Sequence, residues 1–146
     1  MEKTKTSGKV TFQDKSVYIG ELENEIPNGY GVWTHPNGEE YKGQWADGKE
    51  NGSGIYSYPD GGQFSGNFVD GLREGSGIWS HPDGSKYQGN WSKGKFHGKG
   101  IFIWTDQKKY DGDWMNGVQE GIGKTNYPDG RVYFGEYKYG EEKWIW

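Results

Sequence analysis

The sequence predicts an all-β chain: an elongated single-layer antiparallel meander, a solenoid of 23-residue hairpins with an aromatic and glycine groove. Three observations predict it. Tyr18, Tyr41, Phe64, Tyr87, Tyr110 and Tyr133 stand 23 residues apart. Glycine follows each after two residues, from Gly20 to Gly135, and most of the 27 glycines fall on such columns. Aromatic residues make up 17% of the 146-residue chain although hydrophobic residues of all kinds make up only 30%. A chain so poor in aliphatics is normally disordered, but disordered chains are also poor in rings. Fixed repetition shows that glycine here is architecture rather than linker.

The elements follow in chain order. Residues 1–17 form a partial first unit. Five full units run 18–40, 41–63, 64–86, 87–109 and 110–132, and 133–146 form a partial last one. Within a unit, Glu40-Tyr41-Lys42-Gly43-Gln44-Trp45 alternates with period two, as does Gly52-Ser53-Gly54-Ile55-Tyr56-Ser57-Tyr58. Both read as strands. Helix is disfavoured because each interior glycine would cost about 1 kcal/mol. Units are joined by Pro36-Asn37-Gly38, Pro59-Asp60-Gly61, Pro82-Asp83-Gly84 and Pro128-Asp129-Gly130, which carry turn chemistry. That turn sets Trp79 opposite Tyr87, Gly77 opposite Gly89 and Gly75 opposite Trp91. Carried through a loop at 92–97, the same register sets Trp91 opposite Gly98. One face then holds rows of rings and of glycine, with Trp33, Tyr56, Trp79 and Phe102 as groove residues. The other face holds polar residues and one aliphatic column, Val32, Ile55, Ile78 and Ile101.

The cassette Tyr-x-Gly-x-Trp-x-x-Gly-x-x-x-Gly-x-Gly, at 41–54 and again at 87–100, resembles the MORN (membrane occupation and recognition nexus) repeat. The resemblance covers about 18–140. It implies an elongated twisted sheet of successive hairpins, grooved on its aromatic face. It also implies a non-catalytic role in protein interaction, scaffolding or self-association, with lipid binding proposed for some members. Two positions depart from the pattern. Glu25 stands where Gly48, Gly71, Gly94, Gly117 and Gly140 stand, and Thr105-Asp106-Gln107 replaces Pro-Asp-Gly.

Composition excludes several chemistries. With no Cys there is no disulfide, thiolate metal site or thiol catalysis, and a reducing, cytoplasmic setting is expected. The opening residues lack the apolar stretch of a signal peptide, and no run reaches the roughly 18 apolar residues of a membrane span. A net charge of −4 disfavours nucleic-acid binding. His35 and His81 sit too far apart to share a metal. No phosphate-binding loop, dinucleotide fingerprint or catalytic triad is present, so neither enzyme activity nor a cofactor or metal is expected.

Specificity should lie where units differ. Unit 18–40 carries Glu21, Glu23, Glu25, Glu39 and Glu40 with no cation. Unit 87–109 carries Lys93, Lys95, Lys99, Lys108 and Lys109 against Asp106 alone. It also holds Phe96, Ile103 and Trp104. These residues, with Trp144 and Trp146 near the C-terminus, are the expected partner-binding set. The partner expected is a protein or extended peptide. An antiparallel homodimer, matching the acidic unit to the basic one, is a further expectation. Alternatives are a peripheral binder of anionic phospholipid, disfavoured by the acidic first unit, and a carbohydrate or cell-surface binder.

Overall fold

The computed structural model describes residues 4–144. Thirteen strands follow in chain order: β1 (Lys5–Thr11), β2 (Val17–Glu23), β3 (Ile26–Thr34), β4 (Glu40–Ala46), β5 (Lys49–Ser57), β6 (Gln63–Val69), β7 (Leu72–Ser80), β8 (Lys86–Ser92), β9 (Lys95–Ile103), β10 (Lys109–Met115), β11 (Val118–Asn126), β12 (Val132–Lys138) and β13 (Glu141–Glu142). No helix occurs among the described residues. The chain divides between Leu72 and Arg73 into two compact units. In the first, β1 to β6 pair antiparallel, each with the next. In the second, β7 to β13 do the same.

Two kinds of turn alternate. The longer one is fixed by a side chain: Asp14, Asn37, Asp60, Asp83, Asp106 and Asp129 each accept a hydrogen bond through Oδ1 from the backbone N–H two residues on. The shorter one has two central residues with positive φ, as in Lys93 (49°) and Gly94 (84°). Its twist suits tight hairpins.

The short turn corrects the expected register. No loop spans 92–97; Ser92 pairs with Lys95 and Trp91 faces Phe96, not Gly98. The ladder then shifts, and Gly89 faces Gly100 as expected. Gly98 lies in the bulge with φ of 80°, a conformation that excludes most side chains. Equivalent shifts set Leu22 opposite Pro27, Trp45 opposite Glu50 and Trp114 opposite Gln119. Between hairpins the register is as expected, with Gly75 opposite Trp91 and Gly98 opposite Trp114.

The core is a lock of tyrosine on glycine. Tyr18, Tyr41, Phe64, Tyr87 and Tyr110 are fully buried. The Tyr87 ring covers Gly100 so closely that a Cβ there would collide with its hydroxyl. That hydroxyl donates to the Asn90 carbonyl at 2.8 Å, and Tyr41 and Tyr110 make the same bond to Gln44 and Asp113. Trp45, Trp91 and Trp114 meet the tyrosines edge-on, and their Nε1 donate to the carbonyls of Gly31, Gly77 and Gly100. Each edge-on pair adds about 0.5–1.5 kcal/mol beyond its area. Burial pushes the Tyr18 and Tyr87 phenols up to about 12.

Candidate functional site

Above this lock lies a second layer of half-buried rings. In the first unit Trp33 and Tyr56 approach to 6.2 Å between centroids, flanked by His35 and Tyr58. The Tyr56 hydroxyl donates to the Glu39 carboxylate. In the second unit Trp79 and Phe102 stack at 6.3 Å and 23°. Their strands, β7 and β9, are two apart, about 9.6 Å at the backbone. Rings that converge to 6.3 Å therefore line a concave face.

Phe96 is the hub of the second unit. It stacks flat on Tyr87 at 3.9 Å and 9°, and meets Trp91, Trp114 and Phe102 within 5.8 Å. Beside it opens an apolar cavity of about 330 Å³, lined by Arg73, Trp79, Trp91, Gly94, Lys95, Phe96, Phe102 and Gly117. The Arg73 guanidinium lies 4.8 Å over the Trp91 ring and donates to the Gly94 carbonyl at 3.0 Å. The cavity thus has aromatic walls and cations at its edge, with no carboxylate among its lining residues.

A second cleft of about 360 Å³ is lined by Trp104, Lys108, Gln119, Thr125, Tyr127, Tyr137, Gly140, Glu141, Glu142 and Trp144. It is mostly polar. The Tyr127 hydroxyl donates to Glu142, and Trp144 Nε1 donates to the same carboxylate at 3.1 Å. Lys108 Nζ lies 4.2 Å over the Trp104 ring.

The predicted partner set does not form one surface. Phe96 and Trp104 stand on the aromatic face with Phe102, whose ring touches both. Ile103 pairs with Lys109, and Lys99 with Asp113, at strand positions whose side chains project from the opposite face. Lys99 there forms an ion pair with Asp113, which holds that carboxyl below its usual range together with a hydrogen bond from Ile122 N–H. Lys93 is a turn residue whose N–H donates to Glu74 at 2.8 Å. Lys95 lines the apolar cavity. Trp144 packs on Tyr133 at 4.6 Å yet stays 55% exposed. Trp146 lies outside the described residues. Arg73, Trp91, Gln119, Tyr127, Glu141 and Glu142 were not singled out by the sequence, though Arg73, Gln119 and Glu142 share a repeat column with Phe96. The histidines serve turns: His35 and His81 accept backbone N–H bonds from Asn37 and Asp83 through Nδ1. Among the described residues no group of three or more acidic or histidine side chains is placed to hold a metal.

Tyrosine locked on glycine, repeated hairpin after hairpin beneath a ring-lined face, defines a β-hairpin repeat protein. The family model described as MORN repeat matches residues 18–40, 41–63, 64–86, 87–109 and 110–130, and the chain belongs to that family. No curated protein sequence matches it. Among solved structures, it is similar to the TCP10 domain of Danio rerio CPAP in complex with a peptide of STIL, at 20% identity, over 88% of this chain and 62% of that one, with a TM-score of 0.43. It is also similar to the SAS-4 (dCPAP) TCP domain of Drosophila melanogaster with a proline-rich motif of Ana2 (dSTIL), at 14% identity, over 90% of each chain, with a TM-score of 0.42. A further structure of the wild-type TCP10 domain of Danio rerio CPAP matches at 18% identity, over 89% of this chain and 83% of that one, with a TM-score of 0.30.

Proposed function

We propose that the chain is a non-catalytic, cytoplasmic protein-interaction module that binds an extended peptide segment of a partner on the aromatic face of its second unit. The observation that carries this reading is the cavity of about 330 Å³ lined by the four rings of Trp79, Trp91, Phe96 and Phe102. Clustered rings beside an arginine are what energetically dominant contacts at protein interfaces are made of. Their positions are held by the tyrosine–glycine lock beneath, so little ordering is left to be done on binding.

Selection of random peptides displayed on phage tests the proposal. The whole chain should enrich related sequences, and Trp79→Ala should reduce their affinity at least tenfold while Trp33→Ala changes it less than twofold. An empty selection, with binding instead to vesicles of anionic phospholipid, would replace this reading with a membrane one.

A further inference from the structure

The two clefts of the second unit occupy equivalent places in the repeat. Moved along the sequence by two repeats, 46 positions, Arg73 becomes Gln119, Trp79 becomes Thr125, Trp91 becomes Tyr137, Gly94 becomes Gly140, Lys95 becomes Glu141 and Phe96 becomes Glu142. All twelve line one cleft or the other. The backbone frame is thus kept while the lining is exchanged: an apolar wall becomes a hydroxyl and a carboxylate, and an edge cation becomes an edge anion. At the intermediate site, one repeat along, the rings of Phe96 and Phe102 pack on Trp114 at 5.2 and 6.3 Å.

Resting on the peptide-binding reading above, we propose that the two clefts act together on one extended peptide. The first takes an apolar side chain with a neighbouring carboxylate, and the second takes a lysine or arginine. In the first cleft the anchor meets four rings, and Arg73 and Lys95 meet the acid. In the second, the cation lies over the indole of Trp104 or Trp144, in the cleft that Glu141 and Glu142 also line. A cation over an aromatic face is attracted by the ring's quadrupole, the more so as water is excluded. Lys108 already lies over Trp104, which shows that this ring accepts an ammonium group; the incoming cation takes its place or lies over Trp144. Opposite charge at the two clefts also gives the peptide a direction.

Geometry sets the distance between the two anchors. The clefts are four strands apart, about 19 Å at the backbone and less on the concave side. An extended peptide advances about 3.3 Å per residue. The anchors should therefore lie about four to six residues apart.

The test uses fluorescein-labelled peptides of about a dozen residues on a Gly-Ser background. Each carries one Phe-Asp pair and a single Lys, placed two to nine residues away on either side. Fluorescence anisotropy with the whole chain should show tightest binding at a spacing of four to six, on one side only. Replacing that Lys by Ser should weaken binding about tenfold. Lys95→Glu should weaken every Phe-Asp peptide, whereas Glu141→Lys should abolish only the preference for Lys; both positions are exposed, and Glu142→Gln repeats the second test without adding charge. Affinity that is indifferent to the spacing or presence of the Lys overturns the two-cleft proposal while leaving peptide binding at the first cleft intact. Failure of every peptide, together with an empty phage selection, overturns both.

Discussion

Trp45 and Trp91 hold the same place in repeats two and four, yet across their hairpins one faces Glu50 and the other Phe96. Phe96 is stacked among four rings. Glu50 is half-buried, and burial pushes its carboxyl above the usual range. The frame of the two hairpins is nevertheless the same: the same bulge, the same tyrosine hydroxyl to carbonyl bond and the same indole to glycine bond hold both. The frame therefore does not depend on this position. Its residue is free to be set by what the face must bind, and the neighbouring repeats place Pro27, Arg73, Gln119 and Glu142 there.

The largest expected effect tests whether the frame is the same in both hairpins. Gly54→Ala and Gly100→Ala each drive a Cβ into a tyrosine ring, Tyr41 or Tyr87. Each should cost about 3 kcal/mol or more in urea unfolding, and tolerance of either would show that the two locks differ. Next comes the variable position. Phe96→Ala should cost about 2 kcal/mol, below the range for a fully buried ring because Phe96 is half-exposed, and should also abolish peptide capture. A loss of stability with capture unchanged would take Phe96 out of the binding face.

A smaller gain should come from the turns. Glu25 and Gln107 hold φ of 66° and 76°, where sister repeats have glycine. Glu25→Gly and Gln107→Gly should each stabilise the chain by about 1 kcal/mol, the cost of a left-handed conformation for a side-chain-bearing residue. The smallest effect concerns Glu50. Because its folded carboxyl is raised, the folded chain binds the proton more tightly than the unfolded one, so the penalty is present at neutral pH and vanishes as pH falls below the unfolded value. Glu50→Gln should stabilise by less than about 1 kcal/mol near neutrality, with the gain shrinking in acid. A gain that grows in acid would mean that the carboxylate is a favourable partner rather than a buried burden.

The comparison also marks how far the sequence could be read. The 23-residue period, the Pro-Asp-Gly turns and the pairing of β7 with β8 were all legible, because turn chemistry and period-two alternation act locally. The pairing within each hairpin was legible only beyond the bulge, as in Gly89 with Gly100, and not on the turn side, where Trp91 meets Phe96. Lys93-Gly94 reads as part of a longer loop, since neither Lys nor the bulged Gly98 announces a left-handed backbone. That slip concealed the position opposite Trp91 and, with it, the column shared by Glu50, Arg73 and Phe96. Among candidate site residues, Trp79 and Phe102 are visible as members of the repeated aromatic column, and Phe96, Trp104 and Lys95 as rings and a cation out of step with their repeat. Ile103, Lys99 and Lys109 were grouped with them by proximity in sequence, where strand alternation sends them to the other face. Arg73 and Glu142 carry no such signal, because a lone charge on a strand ordinarily faces solvent.

The indole bonds carry one more consequence, for the order of folding rather than its end point. Trp45, Trp91 and Trp114 each donate to a carbonyl only 14 residues earlier, and within each unit every strand pairs with the next in the chain. Sheets usually form slowly because their strands must find distant partners before any contact repays the closed loop. Here no pairing encloses more than a single turn. A hairpin formed anywhere offers its tyrosine and glycine as the template for the next, so the chain can grow by accretion from any point, as repeat arrays do, at rates closer to those of helical proteins than of barrels.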